Sequence, residues 1–132
     1  MAGDAIVLDC GALTALAEGR EAVRFAIKKD AIVGVNVVVP SVVVAESLTG
    51  DTRRDARMNA TLKGVSIVDV DATLARAAAA LRRKQRRGAA NAIDAIVVAI
   101  ANLLPGTRLL TTVPQQLRPL AEIDGRCVVF AV

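Results

Sequence analysis

The feature that most narrows the possible folds is a repeated step from a short apolar run into a helical pattern. The first such step is Ala5-Ile6-Val7-Leu8, which ends at Asp9 and is followed by Gly11 and the helical spacing of Leu13, Leu16 and Ala17. An unbroken apolar run of that length suits a strand buried on both faces. Val35 to Val39, β-branched and bounded by Gly34 and Pro40, reads as a second strand. Val65 to Val70 alternates like a third, and Arg108 to Thr111 and Cys127 to Ala131 read as a fourth and fifth. Helical patterns fill the intervals: Arg20 to Lys29, Ser41 to about Leu48, Ala72 to about Arg87, Ala89 to Leu104 and Gln115 to Ala121. A further helix, capped by Asp51 or Thr52, should carry Arg53, Arg54, Asp55 and Arg57 on a wet face. Regular alternation of this kind implies an α/β fold, a mostly parallel central sheet of about five strands flanked by helices.

With 132 residues and no linker, repeat or low-complexity tract, the chain reads as one domain. Two Phe and no Tyr or Trp argue against single-strand recognition built on exposed ring stacking. The formal charge of +4 is compatible with a polyanionic partner without requiring one. Cys10 and Cys127 lack the short paired spacing of a zinc or redox motif and read as free thiols in a reducing compartment. Met1 to Asp9 has no basic leader pattern. Ala31 to Ala45, the longest uncharged stretch, is interrupted by Pro40 and falls short of the roughly 18 apolar residues that suggest a membrane span. A soluble, cytoplasmic protein is expected.

Three carboxylates stand apart from ordinary surface charge. In open α/β sheets the ligand crevice lies beyond the carboxyl ends of the strands, where Asp9 should stand; a helix N-cap is the competing role for this residue. Glu46 is the sole charge between Asp30 and Asp51, and by itself it reads as the solvent face of a helix. Asp94 is the sole charge between Arg87 and Arg108, within Ala92-Ile93-Asp94-Ala95-Ile96-Val97-Val98. Burying a carboxylate among such neighbours costs several kcal/mol or keeps it protonated, and a cation shared with other acids removes that cost. Carboxylates without His or paired Cys favour Mg2+ or Mn2+ over zinc. Those ions favour phosphoryl hydrolysis as the reaction class.

The ordered set of segments resembles the PIN domain, a nuclease family that includes the VapC toxins of bacterial VapBC toxin–antitoxin pairs. The resemblance rests on Ile6 through Leu13, on Val39-Pro40-Ser41 through Ala45-Glu46, on Ala92 through Ala99, and on Leu109-Leu110-Thr111-Thr112. It implies a three-layer fold in which Asp9, Glu46 and Asp94 are the catalytic acids and ligands of Mg2+ (or Mn2+), with Thr111 beside them at the end of the fourth strand. It also implies an RNA substrate, homodimerisation, and a groove for an antitoxin's C-terminal segment on the helices from about Ala12 to Lys29 and Ser41 to Leu62.

One departure stands out. The family places an aspartate two residues beyond the threonine, where this chain reads Val113-Pro114-Gln115-Gln116. Valine cannot bind a cation, and Glu122 and Asp124 lie off the motif position. Two expectations follow: a metal-dependent endoribonuclease acting as a toxin, or a degenerate PIN-like domain that binds protein or RNA without cutting. The basic run Arg82, Arg83, Lys84, Arg86 and Arg87 offers an RNA-backbone patch. The same cations would also complement the negative end of a helix dipole.

Overall fold

In a computed structural model, described over residues 5–31, 36–85, 91–104 and 106–132 (backbone only at 29–31), strand and helix alternate as expected. The elements run β1 (Ala5–Leu8), α1 (Cys10–Ala17), α2 (Glu21–Ala31), β2 (Asn36–Pro40), α3 (Ser41–Ser47), α4 (Ala56–Leu62) and β3 (Ser66–Val68). They continue with α5 (Ala72–Lys84), α6 (Ala92–Leu103), β4 (Arg108–Thr111), α7 (Pro114–Asp124) and β5 (Val128–Ala131).

The sheet has five strands in the order β3-β2-β1-β4-β5, and every pairing is parallel. β1 is central, in register with β2 through Val7↔Val38 and with β4 through Val7↔Leu109. That position explains its unbroken apolar run, since each of its residues is buried. Helices α1 to α4 pack on one another over one face, and α5 to α7 over the other. The core joins Ile6, Leu8, Leu13, Val39, Val43, Val98, Ile100, Leu109 and Leu117. Both cysteines are free, with Cys127 buried and Cys10 half-buried.

Several boundaries move, each for a local reason. The second strand is described from Asn36 and includes Pro40, which stands opposite Val68 at the strand's last position; Val35 lies outside the described residues. The third strand is only Ser66–Val68, shorter than the alternating pattern implied. Helix α5 begins as expected after Asp71, whose carboxylate accepts from the backbone N–H of Leu74 at 2.8 Å. It ends at Lys84, before extended backbone at Gln85, rather than near Arg87. Helix α7 runs to Asp124 instead of Ala121, with Pro114 in its first turn and Gly125 closing it in the left-handed region at φ 63°.

Asp55 is a clear correction. It is not on a wet face but 5 % exposed, just before α4. Its carboxylate accepts from the backbone N–H groups of Thr49 (2.9 Å) and Gly50 (2.8 Å) and from the Thr49 hydroxyl (2.9 Å). Gly50 adopts φ 88°, which side-chain-bearing residues rarely accept. The Thr49 and Gly50 bonds hold the Asp55 carboxyl below the usual carboxylate range against an opposing effect of burial. A depressed carboxyl adds stability above its ordinary pKa, and this is lost as pH falls through the lowered value. Asp55→Asn should therefore lower the melting temperature by several degrees at neutral pH. It should also flatten the acid limb of the stability profile, and thermal scans across pH check both effects.

Candidate active site

Asp9 caps α1 and stands at the carboxyl end of β1, the position expected of it. As N-cap of α1 it has extended backbone, and its Oδ1 accepts from the Ala12 N–H at 2.9 Å. At the carboxyl end of β1, its Oδ2 accepts from the Thr111 hydroxyl at 2.5 Å. The residue is 6 % exposed, and burial pushes its carboxyl above the usual range. The bonds from Thr111 and from the α1 backbone pull the other way but do not prevail.

Thr111, fully buried at the end of β4, does more than end a strand. Its hydroxyl donates to Asp9 and accepts from the Val113 N–H at 3.0 Å, joining β1, β4 and the start of α7. Thr111→Val removes both bonds and leaves a backbone N–H without that acceptor. The expected loss is about 1–3 kcal/mol of stability, read by denaturant unfolding. Because the Thr111 bond lowers the Asp9 pKa, the same variant should titrate Asp9 at higher pH, seen at its carboxyl carbon by NMR.

Asp94 occupies the first turn of α6, which starts at Ala92 rather than Ala89. Residues 89 and 90 lie outside the described residues. Asn91 is the N-cap, its Oδ1 accepting from the Ile93 N–H at 2.7 Å, a role the sequence reading missed. A carboxylate in a first helical turn is favoured by the helix dipole. Even so, the Asp94 carboxyl is raised, first by burial and then by the negative charges of Asp9 and Glu46. The fold thus sets Asp94 within electrostatic reach of acids at the end of β1 and in the last turn of α3. Glu46 is the exposed member.

Two contacts invisible to sequence reasoning shape the surroundings. The Ser47 hydroxyl donates to Cys10 Sγ at 3.3 Å, tying the neighbours of Glu46 and Asp9 to each other. Gly11 faces Thr112 so closely that an added Cβ would lie 2.2 Å from its hydroxyl, so a larger residue there would force the Thr112 side chain to move.

Among the described residues, no three Asp, Glu, Cys or His side chains are gathered tightly enough to cage an ion by direct contact. The donor set nonetheless fits a hard cation that keeps much of its water, as magnesium does. It consists of hard carboxylate oxygens whose mutual repulsion a cation would relieve. Asp9, Glu46 and Asp94 are the groups able to hold such an ion, directly or through water.

Val113 is the N-cap of α7 and makes no side-chain capping bond. Glu122 and Asp124 cannot replace the missing acid. They lie in the last turns of α7, about 14 Å or more along the helix from Val113. Asp124 instead accepts from the Asn102 side-chain amide at 3.4 Å.

The basic turn belongs to the helix next to α6. Arg82, Arg83 and Lys84 end α5, which packs against α6, the helix that carries Asp94. Arg83 is exposed there, while Arg86 and Arg87 lie outside the described residues. Two adjoining clefts of about 610 and 270 Å3 separate α2 from α4 and share Leu16, Arg24 and Thr61. One end is lined by Ile27, Val37 and Val65, and the other by Glu18 and Arg57. No helix among the described residues is long and apolar enough to cross a membrane.

Comparison with known proteins agrees with this architecture. The structure is similar to one solved for VapBC2 from Rickettsia felis, bound to a DNA fragment from their promoter. The TM-score is 0.78 at 12 % identity, over 97 % of this chain and 98 % of that one, a likeness of fold. No curated protein matches the sequence. The family model for the PIN domain matches residues 6–112, a span that includes Asp9, Glu46, Asp94 and Thr111. The chain belongs to the PIN domain family.

Proposed function

We propose that this protein is a Mg2+- or Mn2+-dependent endoribonuclease, acting in the cytoplasm as the toxin of a VapBC-like toxin–antitoxin pair. The observation that carries the reading is the placement of Asp9 at the carboxyl end of β1, bonded to Thr111 of β4, with Asp94 in the first turn of α6. The raised Asp94 carboxyl, shifted first by burial and then by Asp9 and Glu46, agrees with it. PIN domains are generally metal-dependent nucleases, and the VapC-like fold supports the toxin assignment.

When bound, the metal would supply Lewis acidity toward a phosphodiester and a more acidic water. The chain's own residues prepare the site for it. Thr111 and the Ala12 N–H hold the Asp9 carboxylate in one orientation. The first turn of α6 presents Asp94, and α3 presents Glu46 at the solvent side. In hydrolysis, water oxygen bonds to phosphorus as an ester P–O bond breaks. The exposed Arg83 and Lys84 on the last turn of α5 would attract the RNA backbone.

The clefts between α2 and α4 suit an antitoxin's C-terminal segment, with apolar side chains against Ile27, Val37 and Val65 and acidic ones toward Arg24 and Arg57. The protein would act as a homodimer.

The test is cleavage of structured RNA by purified protein with magnesium, with manganese and with chelator. Metal-dependent cutting is expected; cutting that persists in chelator, or none with either metal, would falsify the reading. Val113 favours one second reading, a degenerate PIN-like domain that binds RNA or protein without cutting. Metal-independent RNA binding with no cleavage would support it.

A further inference from the structure

Helix α3, which carries Glu46, has only seven residues, and Val43 alone among them is buried. Isolated helices shorter than about 12 residues are marginal in water, so the ends of α3 must be fixed from outside. Its start is fixed by the sheet. Ser41 follows Pro40, the last residue of β2, and its hydroxyl accepts from the Val70 N–H at 3.2 Å. Its other end lacks a strand to lean on. The chain leaves α3 at Leu48 in extended backbone and turns at Thr49 and Gly50, both exposed.

Asp55 is the group that fixes that turn. Its carboxylate gathers the Thr49 N–H, the Gly50 N–H and the Thr49 hydroxyl. The Thr49 hydroxyl also accepts from the Asp51 N–H at 3.2 Å, and the Asp55 N–H donates to the Asp51 carbonyl at 2.9 Å. Residues 49–55 thus form a ring of bonds drawn onto one buried carboxylate. Bonds to a charged acceptor are about twice as strong as neutral ones. Asp55 is in turn held from outside the loop, because it begins α4, whose Met58 and Leu62 belong to the core.

Two ties therefore meet on the last turn of α3. One is Ser47 to Cys10, the neighbour of Asp9, and the other is Thr49 and Gly50 to Asp55. Glu46 lies just before the first tie and three residues before the second. It is exposed, and among the described residues its carboxylate makes no hydrogen bond or ion pair that would orient it. Its place is set by the backbone of that turn.

We propose that Asp55 is a positioning residue for Glu46: anchored at the start of α4, it locks the turn that leaves α3 and so sets Glu46 beside Asp9 and Asp94. Asp55 acts through Glu46 alone, and its consequence for metal binding rests on the reading of the three acids as a metal site. A loop staple with no such role would lower stability in every background. A positioning residue loses its effect on the acids once Glu46 is neutral.

Wild type, Asp55→Asn, Glu46→Gln and the double variant test the proposal. In metal-free protein followed by NMR, the Ser47 and Leu48 amides should exchange about tenfold faster in Asp55→Asn, beyond any change at Val97 and Val98 of α6. In chelator at low ionic strength, Glu46→Gln should raise the melting temperature of the wild type by about one or two degrees. The same change should do nothing measurable in Asp55→Asn, where the released Glu46 no longer presses on Asp94. Magnesium affinity, measured calorimetrically, should fall about fivefold in Asp55→Asn and show no further fall when Asp55→Asn is added to Glu46→Gln. Thr49→Val should repeat this pattern in weaker form, with Thr49→Ser behaving as wild type, and this pair carries the comparison if Asp55→Asn does not fold. Unchanged exchange at Ser47 and Leu48 overturns the proposal. So does an equal effect of Glu46→Gln in both backgrounds, or a loss of affinity that persists without the Glu46 charge. A wild type that takes up no magnesium would defeat the metal-site reading instead, and the metal-free exchange and melting results would still decide whether Asp55 positions Glu46.

Discussion

Asp94→Asn is expected to abolish metal-dependent RNA cleavage and, in the same protein, to raise the melting temperature in the absence of metal. The two effects have one origin. The Asp94 carboxyl is raised by burial and by its acidic neighbours, so the folded state holds its proton at pH values where the unfolded chain releases it. Stability from such a group is fully present below the ordinary value of 3.8 and is lost as pH rises through the folded one. At neutral pH the charged form therefore opposes folding. Asparagine keeps the shape, removes the repulsion, and should add a few degrees to the melting temperature. The same neutral amide is a poor substitute for a carboxylate in a magnesium shell, so kcat should fall by about a hundredfold or more. Magnesium should raise the melting temperature of the wild type and do so much less for the variant. A variant that melts lower than the wild type in chelator, or that magnesium stabilises equally, would sink the account of Asp94 as a metal-site acid.

Val113→Asp is expected to tighten magnesium binding and to raise cleavage above that of the wild type. The Val113 N–H is bonded to the Thr111 hydroxyl, which also bonds Asp9. Two opposing effects govern the metal-free protein. An aspartate N-cap on α7 should contribute about 0.5–2 kcal/mol, since valine makes no capping bond. A further negative charge near Asp9 and Asp94 costs a similar amount, so the metal-free melting temperature should barely move. Magnesium removes the second effect and leaves the first. Its affinity, measured calorimetrically, should rise about tenfold or more. Unchanged affinity would mean that position 113 does not face the metal site, and the decayed-site reading would lose its basis.

Much of the architecture was legible because the strands are so apolar. β1 ends where its hydrophobic run ends, and a carboxylate at that point of a parallel sheet belongs to the crevice by topology alone. Asp94 was legible through its isolation, being a lone charge that a buried helix would otherwise exclude. Glu46 was weaker on both counts, and its coupling to Asp94 appears only in three dimensions. Asp55 was misread because three arginines surround it in sequence, yet its carboxylate turns inward to backbone N–H groups that no periodicity reveals. The start of α6 was placed too early because Ala89 and Ala90 are good helix formers, whereas the Asn91 cap sets the true boundary. Helix α7 continues past Ala121 to Asp124 because Gly125, not an earlier residue, supplies the left-handed stop.

The Thr111–Asp9 bond joins residues 102 positions apart, and β1 has β4 as one of its two sheet neighbours. A ribosome delivers Asp9 and Glu46 long before Asp94 and Thr111. Until the fourth strand emerges, the central strand has no partner on that side and the acids have no closed pocket. On the proposed nuclease reading, vectorial synthesis would leave the nascent polypeptide without a complete acid site until nearly the whole domain has emerged.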